Sequence, residues 1–241
     1  MKDLDAVIFD MDGVIVDSEP LKFQAYQRVF RRRFQVEIAV DDPSWHGVGE
    51  AVAVATFARL TGVRVDDPQA VIADKRAAYL ERLADEGVPY REGAVALIES
   101  LAARGMPLGL ATGSDREQLG AVLAPRRLER HFAALVCRDD VSRGKPDPEI
   151  FLLTARRLDC SPERCLVIED TRAGVTAARA AGMRCIALTG TQDRQSLADA
   201  DQIVDHLDRV AELLRVGGLL SGDRSSRGGA RGGPPPAVSP P

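Results

Sequence analysis

Two aspartates, Asp10 and Asp12, directly follow a short apolar run at residues 6–9, and Gly13 comes next. A run of Ala, Val, Ile and Phe is typical of a buried parallel strand, and open α/β sheets bind their ligands at the carboxyl ends of such strands. Two carboxylates there cost solvation free energy that a structural turn would not require. Asp-rich turns are common, but this pair also suits one carboxylate attacking phosphorus while its neighbour transfers protons.

Further polar groups follow the other predicted strands, or lie in the loops beyond them. They are Thr112, Gly113, Ser114, Lys145, Glu169 and Asp170. Because the carboxyl ends of parallel strands share one crevice, we expect these side chains to lie near Asp10 and Asp12. Four carboxylates cannot all ionise there without a counter-charge, and oxygen ligands are the preference of Mg²⁺. With Lys145 and the donors of residues 112–114 to hold a phosphoryl group, the set predicts a phosphoryl-transfer site that uses Mg²⁺.

Apolar runs that alternate with helical segments predict an α/β fold, a Rossmann-like, doubly wound parallel sheet. Residues 18–88 contain no comparable strand but three helical patterns, near 21–30, 50–60 and 67–85. We therefore predict a core of residues 1–17 and 89–216 with an inserted all-helical cap domain at 18–88. The Gly-, Ser-, Arg- and Pro-rich residues 217–241 are predicted to be a disordered tail.

The composition argues against several classes of partner. The 32 Lys and Arg nearly balance the 36 Asp and Glu, for a net charge of −4, which gives no bulk attraction to nucleic acid or anionic membrane. The first apolar run is too short for a signal peptide or a membrane span. The four cysteines show no CxxC spacing and are typical of buried thiols in a reducing compartment. We expect a cytoplasmic protein without nucleic-acid or membrane partners.

In order and in spacing, four motifs resemble those of the haloacid dehalogenase superfamily, in the subfamily with a helical cap between the first and second motifs. They are Asp10-Met11-Asp12-Gly13-Val14, Ala111-Thr112-Gly113-Ser114, Gly144-Lys145-Pro146-Asp147-Pro148 and Ile168-Glu169-Asp170-Thr171. The resemblance covers about residues 4–215 and implies a capped Rossmann-like hydrolase with Mg²⁺ as its cofactor.

The resemblance also implies a role for each site residue. Asp10 would be the nucleophile that becomes an aspartyl-phosphate, and Asp12 would protonate the leaving alcohol and then deprotonate water. Thr112 and Lys145 would hold the phosphoryl oxygens. An aspartate at position 12 indicates a phosphatase or phosphomutase, because dehalogenases of the superfamily lack it. The implied metal-binding residues are Asp10, Asp12 through its backbone carbonyl, Asp170, and Glu169 as a ligand or just outside the ligand set.

The cap is expected to set the substrate. Lys22 stands where members similar to β-phosphoglucomutase carry His, and Glu50 where they carry a phosphate-binding Arg. Both departures favour a phosphatase of a small phosphorylated metabolite, such as a sugar phosphate or a phosphoglycolate-like acid, over the alternative, a sugar phosphomutase. A non-catalytic binding protein ranks last, since every catalytic position is present. The candidate substrate-binding residues are Gly113, Ser114, Lys75 and His46.

Three points about the cap and the assembly stay open from the sequence alone. Lys75 fits a substrate-binding role and a solvated helix face equally well. Trp45 could line the pocket with His46 or pack in the core of the cap. A monomer is expected, because the cap already closes the site.

Overall fold

The computed structural model describes residues 4–216, in which six strands form one parallel sheet. The strands are β1 (Ala6–Phe9), β2 (Leu108–Ala111), β3 (Ala134–Val136), β4 (Cys165–Glu169), β5 (Arg184–Leu188) and β6 (Gln202–Val204). Their order is β3-β2-β1-β4-β5-β6, the Rossmann order, so the predicted fold class is confirmed. Phe9 pairs with Leu110 on one side and with Ile168 on the other. The next residue, Asp10, therefore lies where three strands end together.

Helices cover both faces of this sheet. They are α4 (Ala94–Ala103), α5 (Arg116–Leu123), α6 (Glu149–Arg157), α7 (Arg172–Ala180) and α8 (Leu207–Val216). Because side chains alternate along a strand, Val7 and Phe9 pack with α4, α5 and α8, whereas Ala6 and Ile8 pack with α6 and α7. Burial on both faces explains why β1 is a continuous apolar run rather than an alternating one.

Three helices lie between β1 and α4: α1 (Glu19–Phe34), α2 (Glu50–Thr61) and α3 (Pro68–Glu86). Their common core is aromatic, with Trp45 stacked on Phe23 and packed against Tyr26 and Phe57. Trp45 is 3% exposed, which agrees with packing in the core of the cap. An all-helical insertion is therefore present as predicted, while its exact boundaries at 18 and 88 stay a prediction.

The two segments that join the cap to the sheet run side by side. The Asp17 N–H donates a hydrogen bond to the Pro89 carbonyl, at 2.9 Å, and the Arg91 N–H donates to the Ile15 carbonyl, also at 2.9 Å. The entry and exit of the cap are thus paired, so the cap is attached to the core through one narrow connection.

One helix end differs from the predicted pattern. Helix α1 continues four residues past Phe30, because the arginines at 31–33 extend its last turn, where basic side chains interact favourably with the helix dipole.

Helix α6 begins at Glu149, with Pro148 at the N-cap position. The Asp147 side chain still accepts the Glu149 N–H at 3.0 Å, so it satisfies a helix donor from one residue further out. The predicted tail lies outside the described residues.

Candidate active site

Lys145, in the third motif, contacts a residue of each of the other three motifs. Its Nζ lies 2.5 Å from Asp10 Oδ1, 2.5 Å from Glu169 Oε1 and 3.3 Å from the Ala111 carbonyl oxygen. These partners stand at the ends of the three central strands, β1, β4 and β2, while Lys145 comes from the loop after β3. One ammonium therefore faces two buried carboxylates at the carboxyl edge of the sheet.

Three buried carboxylates, those of Asp10, Glu169 and Asp170, each offer an oxygen within 4.8 Å of the others. Burial raises the pKa of Asp10 to about 7, with Lys145 opposing the shift and Glu169 adding to it. Burial also raises the pKa of Asp170 well above its usual value, and the carboxylates of Glu169 and Asp10 add to this. Asp170 Oδ1 is buried without a hydrogen-bond partner among the described residues. An unpartnered oxygen in an acidic cluster fits a hard cation such as Mg²⁺.

The two oxygens of Glu169 have different partners. One binds Lys145, whereas Oε2 accepts the N–H groups of Asp170 and Thr171, at 2.7 and 2.8 Å, and the Thr171 hydroxyl at 3.0 Å. Glu169 therefore holds both the ammonium and the loop that carries Asp170. Direct coordination of a metal by Glu169 stays a prediction.

Gly13 makes room for Asp170. A Cβ at position 13 would lie 1.7 Å from Asp170 Oδ2, and the backbone has a φ of +80°, in the left-handed region that glycine adopts readily. The glycine of the first motif thus lets the loop after β1 approach the Asp170 carboxylate.

Asp12 is surrounded by donors. Its Oδ1 accepts hydrogen bonds from the Ser18 hydroxyl at 2.5 Å and from Lys22 Nζ at 2.9 Å, and its Oδ2 accepts the Ser114 hydroxyl at 2.7 Å. Thr112, fully buried, lies 3.4 Å from the same oxygen. Burial alone would raise the pKa of Asp12, but the Lys22 ammonium and the two serine hydroxyls hold it below its usual value. The group is therefore an ionised carboxylate, ready to accept a proton.

Sequence reasoning did not assign Ser18 and Lys22 to the surroundings of Asp12. The signal was present, because the two residues are four apart at the start of α1 and so lie on one face of that helix. Gly113, also predicted in the site, is exposed and has open space beside its Cα.

Lys75 lies inside the cap. It is 4% exposed, its Nζ is 3.1 Å from Glu50 Oε1, and it stands over the rings of Tyr26 and Tyr79 at 5.3 and 5.4 Å. The alternative of a solvated helix-face lysine is therefore wrong. Its role in substrate binding stays a prediction.

His46 connects the cap loop to the core through its backbone. Its ring lies 3.1 Å from Asp41 Oδ1 and packs edge-on against Trp45, while its carbonyl accepts a hydrogen bond from Gln192 Nε2 at 3.2 Å. Gln192 also accepts the Arg172 N–H at the start of α7, at 2.7 Å. The ring is thus turned toward the cap, and substrate binding by His46 likewise stays a prediction.

The family profile of haloacid dehalogenase-like hydrolases matches residues 4–182, which include every motif described above. The chain belongs to this family. The family suggested by the four motifs is thereby confirmed.

Individual relatives of this hydrolase are similar over most of its length. The chain is 37% identical over 227 residues to the Arabidopsis thaliana protein SUPPRESSOR OF QUENCHING 1, chloroplastic, covering 92% of this chain but only 21% of that protein. It is 31% identical over 217 residues to a phosphorylated carbohydrates phosphatase of Thermotoga maritima, covering 88% and 98% of the two chains. The crystal structure of CbbY from Rhodobacter sphaeroides in complex with phosphate superposes with a TM-score of 0.74 at 26% identity, covering 87% and 96%.

The predicted enzyme class, a hydrolase of phosphoric monoesters, is confirmed by the family match together with a phosphatase among the relatives. Within residues 4–216, no helix is long and apolar enough to cross a membrane. The expected monomeric state and cytoplasmic location of the hydrolase stay predictions.

Proposed function

We propose that this hydrolase is a Mg²⁺-dependent phosphatase that removes phosphate from a small phosphorylated metabolite through an aspartyl-phosphate on Asp10. The observation that carries the proposal is the pairing of two unlike carboxylates at one strand end. Asp10 lies in the buried acidic cluster with Lys145, whereas Asp12 is held ionised by hydroxyl and ammonium donors. The carbohydrate phosphatase among the relatives and the phosphate bound by CbbY support a phosphorylated sugar as substrate.

The proposed mechanism assigns each step to a residue of the chain. Asp10 attacks phosphorus, and the bond from phosphorus to the alcohol oxygen breaks. Asp12, ionised while Lys22 is beside it, takes up a proton from solvent when the cap opens and separates the two, and it donates that proton to the leaving oxygen. Asp12, now ionised, takes a proton from a water molecule, which attacks the aspartyl-phosphate, releases phosphate and restores Asp10. Lys145 and the donors of residues 112–114 neutralise the phosphoryl oxygens throughout.

The metal would be held by Asp10, Asp170 and the backbone carbonyl of Asp12, and when bound it neutralises charge on the transferred phosphoryl group. The unpartnered, buried Asp170 Oδ1 supports this ligand set. Lys145 already compensates part of the negative charge, so the cluster needs one further cation rather than two.

Release of phosphate from p-nitrophenyl phosphate and from a panel of sugar phosphates tests the proposal. We expect turnover that a chelator abolishes and added Mg²⁺ restores, and none for Asp10→Asn. Activity that survives in Asp10→Asn would contradict the aspartyl-phosphate, and activity indifferent to chelator would contradict the metal. A phosphomutase would instead interconvert hexose 1- and 6-phosphates when primed with a bisphosphate, and hydrolysis without isomerisation excludes that alternative.

A further inference from the structure

Glu50 connects two cations that come from different parts of the fold. It is the first residue of α2, and its Oε1 lies 3.1 Å from Lys75 Nζ on α3. Its Oε2 lies 3.3 Å from Arg138 Nη1, in the turn that follows β3 in the core. Lys75 is 4% exposed, so Glu50 supplies the charge that compensates a buried ammonium.

These groups are next to the reacting carboxylates. The Arg138 N–H donates to the Ser114 carbonyl at 3.0 Å, and the Ser114 hydroxyl binds Asp12 at 2.7 Å. On the cap side, Asp12 and Lys22 are among the charges that act on the Lys75 ammonium. Glu50 is thus linked to Asp12 through Arg138 and Ser114 from the core, and through Lys75 from the cap.

The cations on this side of the site are all paired. Lys22, Lys75 and Arg138 pair with Asp12, Glu19 and Glu50, and Arg138 also lies 3.6 Å from Asp115 and 3.9 Å from Asp139. Without Glu50, Lys75 would lose its carboxylate and Arg138 would lose one of three, which would open these two donors to a second anion. With Glu50 in place, an incoming anion meets a carboxylate and a cluster without spare positive charge. Hydroxyl groups, in contrast, can donate to the Glu50 oxygens.

We propose that Glu50 determines the substrate class by excluding a second anionic group. The substrate is then a monophosphate whose remaining part is uncharged and rich in hydroxyl groups, rather than a bisphosphate or a phosphorylated acid. The inference rests on the proposed phosphatase function, because it concerns the same site. Glu50 and its partners Lys75 and Arg138 are then the residues that determine specificity, and the roles of Asp10 and Asp12 are unchanged.

Binding to the non-turning-over Asp10→Asn protein tests this inference separately from catalysis. Calorimetry with fructose 1-phosphate and fructose 1,6-bisphosphate gives a ratio of dissociation constants, first for the parent and then with Glu50→Gln added. We expect the parent to bind the monophosphate at least about tenfold more tightly, and Glu50→Gln to reduce that ratio by about tenfold or more, because a like charge is removed. Glu81→Gln is the matched control, since Glu81 is a cap glutamate paired with Arg28 on the surface.

Glu50→Gln leaves Lys75 without its carboxylate, so a second variant guards against a folding defect. Glu50→Gln with Lys75→Met buries no charge and removes the Glu50 carboxylate from Arg138. It should therefore also reduce the ratio, but less than Glu50→Gln alone, because Lys75 no longer attracts the second phosphate. A parent that binds both ligands equally, or a ratio that neither variant changes relative to Glu81→Gln, would overturn the inference. Absence of turnover in the unsubstituted enzyme would instead contradict the proposed function, because these ratios do not depend on turnover.

Discussion

Replacing Gly13 with alanine should disable the metal-binding cluster without unfolding the protein. The new Cβ would lie 1.7 Å from Asp170 Oδ2. Since ordinary van der Waals contact begins near 3.4 Å, this oxygen must move away by about 1.7 Å. Metal sites tolerate about 0.2 Å in their ligand distances, so Asp170 would leave the ligand position.

Replacing a second glycine, Gly62, with alanine distinguishes the effect of this clash from the cost of placing alanine in the left-handed backbone conformation. Gly62, which ends α2, has a φ of +70° and open space where a Cβ would stand. Alanine at either site pays about 1–2 kcal/mol for the left-handed conformation. Only Gly13→Ala also displaces a carboxylate, and a misplacement of about 1 Å at a reacting centre costs about 100-fold in rate.

The assay combines hydrolysis of p-nitrophenyl phosphate over a Mg²⁺ titration with unfolding in urea. Gly62→Ala should lose about 1–2 kcal/mol of stability and keep its rate. Gly13→Ala should lose at least about 100-fold in kcat/KM, or about 2.7 kcal/mol of transition-state stabilisation, with a weaker apparent affinity for Mg²⁺. Equal rates in the two variants would refute both the role of Gly13 and the assignment of Asp170 to the metal.

Three further substitutions test the remaining charges. Lys145→Met leaves buried carboxylates without their ammonium, so urea unfolding should show a loss of about 3 kcal/mol and steady-state assays a loss of at least about 100-fold in kcat. Lys22→Met removes the cation that lowers the pKa of Asp12, so the alkaline limb of the kcat/KM profile, where Asp12 loses the proton that it must donate, should move to higher pH, and an unmoved limb would contradict that role. Burial opposes ionisation of Asp140, but a hydrogen bond from Arg157 holds its pKa below the usual value, so its contribution to stability is present above about pH 4 and is lost as the pH falls. Asp140→Asn should therefore cost about 1–2 kcal/mol at pH 7 and less at pH 3, compared in urea unfolding at both pH values.

The parts of the site that follow strands were predictable from the sequence, because a strand end and a parallel sheet fix where a side chain must lie. Asp10 and Glu169 follow continuous apolar runs, and the sheet brings both to Lys145. The residues around Asp12 were harder to predict from the sequence, since the positions of Ser18 and Lys22 depend on how α1 packs against the core. A helical pattern indicates a face but does not indicate what that face contacts.

Lys75 shows this limit most clearly. Helix α3 carries many charged residues, and the sequence alone fits a solvent-exposed Lys75 and a substrate-binding Lys75 equally well. Its burial results from the packing of α1 and α2 against α3, which places the Tyr26 ring beside it, while the Tyr79 ring comes from α3 itself. Its partner Glu50 lies on a different helix, 25 residues away. No local pattern encodes such a pair, because the two residues meet only when the cap has folded.

We expect access to Asp10, the proposed nucleophile, to depend on contacts between the cap and the core. Asp10 is 5% exposed, so we expect a phosphorylated metabolite to reach it only after the cap moves away. Several of the contacts that must break are partly exposed ion pairs, such as Arg76 with Glu117 and Arg138 with Glu50, each worth about 0–1 kcal/mol. The pair of Lys22 and Asp12 is more buried and joins the cap directly to the proton-transferring carboxylate. We expect opening of the cap to free Asp12 from this cation, so that entry of the substrate and protonation of Asp12 are coupled.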